Sequence, residues 1–514
     1  MTNIVVVTEI TTLNSGLAIY GRNLIHLLIE RGHRVTEFAI GFTKEIPNVS
    51  WDVILNQPQP HEEEEYNYNP NNVNGQWKFE KVLLEIKPDL VIDIRDVFNY
   101  SYQTASPYKD LFNHIGIAAV DGIPQKKQWV EVFAGLDGVF TYTEWGKKVL
   151  ENEGILVNGV APPSASDSFK PQDNTELKKS VGIEDYRIVG SIMRNQPRKL
   201  IPELFEGFRL YLDNSGDTKT LLYLHSSYPD VGYNIPELLL MFGLSSKVLF
   251  TFSCKSCDAV FPSFWRGSRS FCHNCGKGNV RTAELSDNIN EETLSDIISL
   301  FDVYIQLAGR EGYGMPQMEA IKCGKPVATI NYSGMTNFID NYDAQSIEPD
   351  VLKYSYDMDI YDASISPTTV AIAIDNLLHE KREKININQN WEDSLSPILD
   401  FVDKSNFVGK WDSKNYDIKP FPQYREIKCS NYDYAKYLIL NVLQKPQYLS
   451  SLMFTRLVED LNYGFTFGRH YGTYLVEPQN AKGKTIPFDR EVAYVYLAEE
   501  RERINLWEQE RKNY

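Results

Sequence analysis

The chain has 514 residues, too many for one hydrophobic core, and this length predicts two or three domains. Its net charge of −17 at pH 7 excludes binding to a polyanion through the overall field, so any nucleic-acid contact needs a local basic patch. No apolar run approaches the roughly 20 residues that cross a bilayer. The opening residues MTNIVVVTEI lack a basic leader region, and we expect a soluble cytoplasmic protein.

The first third of the chain alternates predicted strands and helices. A β-branched run from Ile4 to Val7 predicts the first strand, and an apolar stripe from Tyr20 to Leu28 has helical spacing. Gly32 ends that helix, and three later apolar runs predict strands at 90–94, 115–120 and 138–141. The polar, acidic stretch 61–75 predicts an exposed loop. Such alternation is typical of a parallel sheet covered by helices on both faces.

A second alternating series begins near Ile188, with strands predicted at 188–190, 221–225, 248–252, 303–306 and 327–330. The Pro162-Pro163-Ser164 segment reads as a hinge before it. After about residue 400 the pattern changes to a Tyr-rich, charged tail with helical stretches near 433–443, 448–460 and 489–511. The α/β organisation is therefore one Rossmann-like domain at 1–165, a second at 166–400 and a helical C-terminal extension at 401–514.

The most informative stretch, residues 309–334, reads GREGYGMPQMEAIKCGKPVATINYSG and follows a predicted strand. Pro316 suits the first turn of a helix. The preceding turn, Gly312 to Gly314, would present backbone N–H groups at the helix N-terminus, where anions and hydroxyl groups bind. Glu319 lies three residues after Pro316, close enough to face the same ligand. The sequence therefore predicts a ligand site at the end of this strand.

The pattern E-G-Y-G-M-P-x-x-E-A-x-x-C-G-x-P-V resembles the donor-site signature of the retaining GT-B glycosyltransferases grouped as glycosyltransferase family 4. Glu311 and Glu319 match the two ends of its E-x7-E motif. The resemblance implies that Glu319 binds the ribose hydroxyls of a nucleotide-sugar and that Glu311 lies beside the transferred sugar. It also implies that the backbone amides of Tyr313, Gly314 and Met315 lie near sugar hydroxyls and phosphate. The implied fold is GT-B, with an N-terminal acceptor-side domain and a C-terminal donor-binding domain.

A second segment, VGSIMRNQPRKLIPELFEGF at 189–208, resembles the strand, basic loop and helix that meet the donor pyrophosphate in this family. Arg194 and Lys199 match the two basic positions, and the nearby Arg198 is able to substitute for either. A departing nucleoside diphosphate gains negative charge, which a preorganised pair of cations stabilises. Taken alone, the same residues also fit a solvated charge cluster before a helix.

The N-terminal segment NSGLAIYGRNLIHLLIERGHRV resembles the first loop and helix of the family, with Gly16 at the tight turn. Glycine there allows the backbone to approach the donor or the acceptor. Members of the family often carry a histidine that faces the sugar, whereas this chain reads AAVDGIPQKKQW and places Asp121 at that position. Asp121 either orients a sugar or acceptor hydroxyl or only caps a turn with Gly122.

The resemblance implies retention of anomeric configuration by front-face attack, in which the leaving phosphate oxygen helps to deprotonate the acceptor. Glu311 then acts through its charge and position, without a covalent intermediate. No catalytic metal is expected, and the sequence has no D-x-D motif at a plausible donor site.

Two CxxC pairs, Cys254 with Cys257 and Cys272 with Cys275, are separated by fourteen residues in CKSCDAVFPSFWRGSRSFCHNC. This spacing favours a tetrahedral structural zinc site of the ribbon type over a disulfide pair or a redox couple. The module, at about 252–281, is inserted in the donor-binding half after the strand near 252. His273 is not expected to be a ligand because four cysteines already fill the coordination sphere.

The module carries five basic residues against one acidic residue between positions 254 and 281, together with four aromatic residues. Basic and aromatic side chains together are typical of nucleic-acid surfaces, although the aromatic rings also suit the small core of a stapled hairpin. Three hypotheses follow. The first is a nucleotide-sugar-dependent glycosyltransferase acting on a glycan, lipid-linked glycan or protein. The second is a bacteriophage-type enzyme that glycosylates hydroxymethylated bases in DNA. The third is a non-catalytic zinc-ribbon nucleic-acid-binding protein on a GT-B scaffold.

Overall fold

The structure, a computed structural model, describes residues 1–411 apart from 42–46, 68–69, 266–270, 285–286, 288, 356–357 and 381–388. Almost all of the predicted C-terminal extension, including its three helical stretches, lies outside the described residues. Within the described part of the chain, no helix has both the length and the apolar character needed to span a membrane.

The strands and helices alternate along most of the chain. The strands are β1 (Asn3–Glu9), β2 (Arg34–Ile40), β3 (Asp52–Leu55), β4 (Leu90–Asp93), β5 (Asn113–Ala118), β6 (Gly138–Thr141), β7 (Gly159–Val160), β8 (Arg187–Ile192), β9 (Thr220–His225), β10 (Val248–Cys254), β11 (Val260–Phe264), β12 (Val280–Thr282), β13 (Val303–Gln306), β14 (Val327–Ile330), β15 (Gln345–Ile347), β16 (Val351–Ser355) and β17 (Ile360–Ser364). The helices are α1 (Gly16–Glu30), α2 (Glu63–Asn67), α3 (Gln76–Ile86), α4 (Ser101–Thr104), α5 (Lys127–Ala134), α6 (Glu144–Asn152), α7 (Thr175–Val181), α8 (Ile201–Ser215), α9 (Ile235–Met241), α10 (Glu291–Ser299), α11 (Met315–Lys322), α12 (Thr336–Tyr342), α13 (Pro367–His379) and α14 (Trp391–Ser405).

The first sheet has the order β3-β2-β1-β4-β5-β6-β7, and its strand pairs are parallel. Parallel strands are buried on both faces, which explains why Val5 to Val7 in β1 and all of β4 are apolar or fully enclosed. Helix α1 buries Tyr20, Leu24 and Leu28 against this sheet, as the apolar stripe predicted. The strand order reverses between β1 and β4, and ligands bind at such a switch point.

The second sheet repeats the arrangement, with the order β10-β9-β8-β13-β14-β15 and parallel pairing throughout this series. Its switch point lies between β8 and β13, the strands that precede the two motifs of the donor half. The predicted fold of two Rossmann-like domains is confirmed. Helix α14 passes through position 400 and packs on the first domain, where Phe401 lies 5.4 Å from the ring of Phe140.

The predicted exposed loop at 61–75 is wrong in part, because it contains α2 and a short 3-10 helix, Pro70–Asn74. Asn72 explains the order of this segment. Its side-chain amide donates to the carbonyls of Glu65 and Tyr66 at 3.0 Å, and its own carbonyl accepts from Asn56 at 2.9 Å. Asparagine side chains that bond to nearby backbone can fold a polar stretch without an apolar face.

The cysteine module is joined directly to the domain sheet, since β10 continues into it. Residues 248–250 of β10 pair with β9 in the domain sheet, while 249–253 pair antiparallel with β11 and 252–254 with β12. One strand therefore belongs to both the Rossmann sheet and the ribbon. The hairpin covers the edge of the donor-half sheet, which would otherwise expose unpaired backbone groups.

Candidate active site and metal centre

The loop that carries Glu311 follows β13 and leads into α11. Gly314 has a φ of +112°, and a Cβ atom there would lie 1.8 Å from Oε1 of Gln317, so only glycine fits. A Cβ at Gly334 would lie 2.2 Å from the Gly312 carbonyl oxygen. The backbone of Gly334 donates to the Glu311 carbonyl at 2.9 Å, and Glu311 N donates to Ser333 Oγ at 3.0 Å. The loop after β14 therefore contacts the Glu311 loop and holds its backbone in place.

Glu311 forms ion pairs with two cations from the loop after β8. Lys199 contacts one carboxylate oxygen, and Nη1 of Arg198 lies 3.1 Å from the other. Burial would raise the pKa of Glu311, but the charges of Arg198 and Lys199 outweigh it and lower the pKa to about 2. The structure thus brings the two predicted motifs together at the carboxyl ends of β8 and β13.

Arg194 has a different partner from Lys199. Its Nε and Nη2 atoms donate to the two carboxylate oxygens of Asp230 at 3.0 and 3.1 Å. Arg198 stands beside Glu311 instead, and it also donates to the Arg310 carbonyl at 2.8 Å. Arg198, and not Arg194, is therefore the cation that pairs with Glu311 beside Lys199.

Glu319 lies in α11, and only 6% of its surface is exposed. Burial, together with the negative charge of Glu291, raises its pKa from 4.5 to about 8. No described group donates a hydrogen bond to its carboxyl. A buried carboxyl without donors is prepared to accept hydrogen bonds from a ligand.

The facing surfaces of the two domains, together called the cleft below, approach each other closely at two glycines, one of which is in the Glu311 loop. A Cβ at Gly16, the first residue of α1, would lie 3.2 Å from Sδ of Met315, and a Cβ at Gly312 would lie 2.9 Å from Cβ of Ala119. The side chain of Tyr313 is buried, with its ring 5.0 Å from that of Phe338, so only its backbone is available to the cleft. The lack of a side chain at these glycines therefore allows the two domains to lie close together at the Glu311 loop.

Asp121 lies in the cleft and pairs with a residue of the opposite domain. Its Oδ2 atom accepts from Nε of Arg310 at 3.2 Å, and Arg310 also contacts Asp362. Burial raises the pKa of Asp121, and the charges of Arg310 and Arg198 oppose this shift. Sequence reasoning missed Arg310 and Asp362, although Arg310 directly precedes the motif glutamate.

Sequence reasoning also missed three residues on the N-terminal side of the cleft. Glu9 ends β1, Asp96 follows β4 by three residues, and Tyr142 follows β6 directly. Burial, with the charges of Asp121 and Glu9, raises the pKa of Asp96 to about 6, so these carboxylates lie near one another. Their position just after buried strands was the available signal.

The sulfur atoms of Cys254, Cys257, Cys272 and Cys275 lie within 4.8 Å of one another and could hold a metal ion. Two Sγ–Sγ distances are 3.6 and 3.7 Å. Four thiolates about 2.3 Å from a tetrahedral zinc ion would stand about 3.8 Å apart, so the donor set and its dimensions fit. His273 is not in the cluster.

The two CxxC segments have the same local fold. The backbone N–H of Asp258 donates to the Cys254 carbonyl at 2.8 Å, and that of Gly276 donates to the Cys272 carbonyl at 2.8 Å. Asp258 and Gly276 have φ values of +55° and +71°. This repeated turn aims both sulfurs of each pair at one point, as a metal knuckle requires.

The basic residues of the module are partly neutralised by neighbours outside the predicted boundaries. Lys255 contacts Asp287, and Nη2 of Arg281 lies 3.0 Å from Glu284 and 3.2 Å from Asp287. Arg266 and Arg269, two of the five basic residues of the module, lie outside the described residues.

Two aromatic residues of the ribbon, Phe261 and Trp265, pack against the core of the second domain. The ring of Trp265 lies 5.4 Å from Phe250 and 5.5 Å from Tyr228, while Phe261 stacks on Phe252 at 6.3 Å. Phe264 and Phe271 are exposed. Two of the four aromatic residues are therefore structural, as the hairpin interpretation predicted.

Residues 278–353, which include Glu311 and Glu319, match the known protein family described as Glycosyl transferases group 1. No curated protein matches the chain by sequence. The solved sucrose-phosphate synthase of Thermosynechococcus elongatus superposes with a TM-score of 0.52 at 15% identity, covering 79% of this chain and 95% of that one. HepE of Anabaena, solved with UDP and glucose, superposes with a TM-score of 0.48 at 12% identity and covers 79% and 96%.

The likeness to sucrose-phosphate synthase shows a shared fold. The family match falls on the segment that supplies the Glu311 loop, α11 and the support after β14. The matched segment is thus similar to group 1 glycosyl transferases, and the two-domain architecture is the GT-B fold.

Proposed function

We propose that the protein is a retaining glycosyltransferase that moves a sugar from a nucleotide-sugar donor to a hydroxyl group of an acceptor. The observation that carries this proposal is the cluster of Lys199, Arg198 and Glu311 at the switch point of the second sheet, inside the cleft. Two cations beside one carboxylate suit a ligand that brings both phosphate and sugar hydroxyls.

The donor is held by residues of the second domain. Glu319 accepts hydrogen bonds from the ribose hydroxyls, and the backbone amides of the Gly312 to Met315 turn bind phosphate or sugar oxygens at the N-terminus of α11. Lys199 and Arg198 exchange part of their contact with Glu311 for the pyrophosphate. Arg194 contributes to the phosphate only after it leaves Asp230, so we assign it the smaller role.

The chemistry follows from the charge that develops on the leaving group. As the bond between sugar and phosphate breaks, the diphosphate gains negative charge, which Lys199 and Arg198 stabilise. Glu311, which keeps part of its contact with the two cations, remains ionised and orients a sugar hydroxyl. Asp121, held in place by Arg310, lies on the acceptor side and positions a hydroxyl group there. Retention follows if the acceptor attacks from the face that the diphosphate leaves.

We propose that the four cysteines hold a structural zinc ion. Support comes from the all-thiolate donor set, the paired knuckle turns and the Sγ–Sγ distances. The zinc would anchor β11 and β12 to β10 at the outer edge of the donor-half sheet. The ion-paired state of Lys255 and Arg281 leaves a weaker basic surface than the sequence indicated, which favours a glycan over DNA as the acceptor.

The test is donor hydrolysis without an acceptor. The full-length protein is incubated with a panel of nucleotide-sugars, and free nucleoside diphosphate is measured. We expect one donor to give slow release that falls at least about tenfold in Glu311→Gln, since a charged contact contributes about 1.5–3 kcal/mol. Asp213→Asn, on the exposed surface of α8, is the matched control. Absence of both release and nucleotide binding with every donor would refute the proposal.

A further inference from the structure

The N-terminal wall of the cleft is acidic. Glu9 ends β1, and Asp96 and Asp121 lie three residues after β4 and β5. These strands are consecutive neighbours in the first sheet, so the three acidic residues lie side by side at its carboxyl-end edge, called the acidic edge below. Glu9 accepts from Ser15, and Asp121 accepts from Arg310. No described group donates a hydrogen bond to the carboxylate of Asp96. It is the one carboxylate of these three with its full accepting capacity unused.

Tyr142 provides an independent observation at the same place. Its side chain is buried, with the residue 5% exposed, and its hydroxyl has no hydrogen-bond partner within the described residues. Burial, and then the negative charges of Asp96 and Glu9, raise the pKa of Tyr142. Tyr142 directly follows β6, the neighbour of β5, so it lies at the same carboxyl-end edge as the three acidic residues. A buried hydroxyl without a partner at this place is able to bond with a ligand.

The cations near this wall already have partners. Arg95 donates to Asp93 at 2.9 Å, Arg310 is held between Asp121 and Asp362, and Arg198 and Lys199 are paired with Glu311. When the donor is bound, its diphosphate occupies the last two. An anionic acceptor would thus meet a row of acidic side chains without a free cation from the described residues, which is unfavourable in a partly desolvated cleft.

An exposed ring lies beside the acidic edge. Phe98, two residues after Asp96, is 47% exposed and stands 6.0 Å from the ring of Trp129. Carboxylates accept hydrogen bonds from sugar hydroxyls, and an aromatic ring packs on the apolar C–H face of a pyranose. The two features together match a saccharide and not a phosphorylated compound.

We propose that the acceptor is an uncharged saccharide whose hydroxyl groups bind Asp96 and the Tyr142 hydroxyl, with one sugar face packed on Phe98. This inference rests on the proposed function and names its acceptor class. Asp96 is assigned to the acceptor, whereas Arg198 and Lys199 are assigned to the donor diphosphate.

The test measures acceptor binding directly, without donor chemistry. The full-length protein is applied to a glycan array that carries neutral saccharides and matched phosphorylated and uronic-acid forms. A hydroxymethylated DNA oligonucleotide is tested in parallel. We expect binding to neutral saccharides and at least about tenfold weaker binding to their phosphorylated counterparts. Asp96→Asn and Phe98→Ala should each weaken the neutral ligand at least about tenfold, because one loses a charged acceptor and the other loses the packing surface.

Asp52→Asn is the matched control, since Asp52 begins β3 at the opposite edge of the same sheet and 72% of its side chain is exposed. It should bind as the wild type does. Preferential binding of anionic glycans or DNA, no binding to any neutral saccharide, or unchanged binding by Asp96→Asn would overturn the proposal. Donor hydrolysis measured on the same samples reports separately on the proposed function, so the two failures are distinguishable.

Discussion

The two walls of the cleft differ in how their charges are satisfied. On the donor wall, the single carboxylate of Glu311 is paired with two cations, Lys199 and Arg198, so this cluster carries an excess of positive charge. On the acceptor wall, carboxylates gather with one paired cation, and Asp96 has no donor within the described residues. If the proposed function holds, the donor wall keeps its counter-charges in place for a charged ligand, whereas the acceptor wall offers hydrogen-bond acceptors to a neutral one.

The largest expected effect comes from removing a cation of the donor wall. Lys199→Ala should lower the turnover number by about 10²–10³-fold, because the diphosphate loses a preorganised counter-charge in the transition state. Arg198→Ala should come close to this value. Steady-state kinetics with the best donor measures both variants.

Arg194→Ala is the internal comparison for these variants, because Arg194 is paired with Asp230 in the free protein. We expect less than about a tenfold loss of turnover. A loss equal to that of Lys199→Ala would show that Arg194 leaves Asp230 for the phosphate, and would contradict the smaller role assigned to it.

Glu319→Gln should have an intermediate effect on the donor wall. Nucleotide affinity should fall by about 10–100-fold, since hydrogen bonds to a charged acceptor contribute about 1.5–3 kcal/mol. The ribose hydroxyls favour the carboxylate, so nucleotide binding by the wild type at pH 7 should release protons from Glu319. Calorimetry in buffers of different ionisation enthalpy measures this release, which should be smaller in the variant.

Glu319→Gln also tests the raised pKa of the Glu319 carboxyl when no nucleotide is added. Because the folded-state pKa of Glu319 is raised to about 8, its stabilising contribution is fully present below pH 4.5 and is lost as the pH rises through 8. Relative to Glu319→Gln, the wild type should lose on the order of 1–3 kcal/mol between pH 4 and pH 9. Denaturant unfolding at both pH values measures the difference, and an equal free energy of unfolding at both would place the carboxyl in water.

The smallest effect on turnover is expected at the zinc ribbon, which extends the sheet of the donor half at its outer edge. Cys272→Ser should abolish binding of one zinc per chain and lower the melting temperature by about 5 °C or more, because metal binding and local folding are coupled. Elemental analysis and thermal unfolding measure these changes. Cys429→Ser is the control and should retain zinc. A zinc-free wild type purified without chelator would contradict the assignment.

Much of the fold could be predicted because it depends on local patterns. Predicted strands at 138–141, 303–306 and 327–330 coincide with β6, β13 and β14, whose residues are all buried. Each run is only four residues long, contains β-branched or aromatic residues and has a glycine or proline nearby, which favours a strand over a helix. The prediction of an exposed loop at 61–75 failed because this segment has no apolar periodicity. Its turns are held by hydrogen bonds from the Asn72 side chain.

The sequence by itself determined the two CxxC pairs, the glycine-rich turn before α11 and the spacing of Glu311 and Glu319, because each depends on residues close together in the chain. Only the tertiary structure decided which arginine accompanies Lys199, since Arg198 and Glu311 are 113 positions apart and meet where β8 and β13 are neighbours. It also decided that Lys255 and Arg281 are neutralised by Asp287 and that Asp96 lies beside Asp121. Electrostatic interactions depend on distance in space and not on distance along the chain. The pairing of charged side chains at a site is therefore determined only when the strands that carry them are placed side by side.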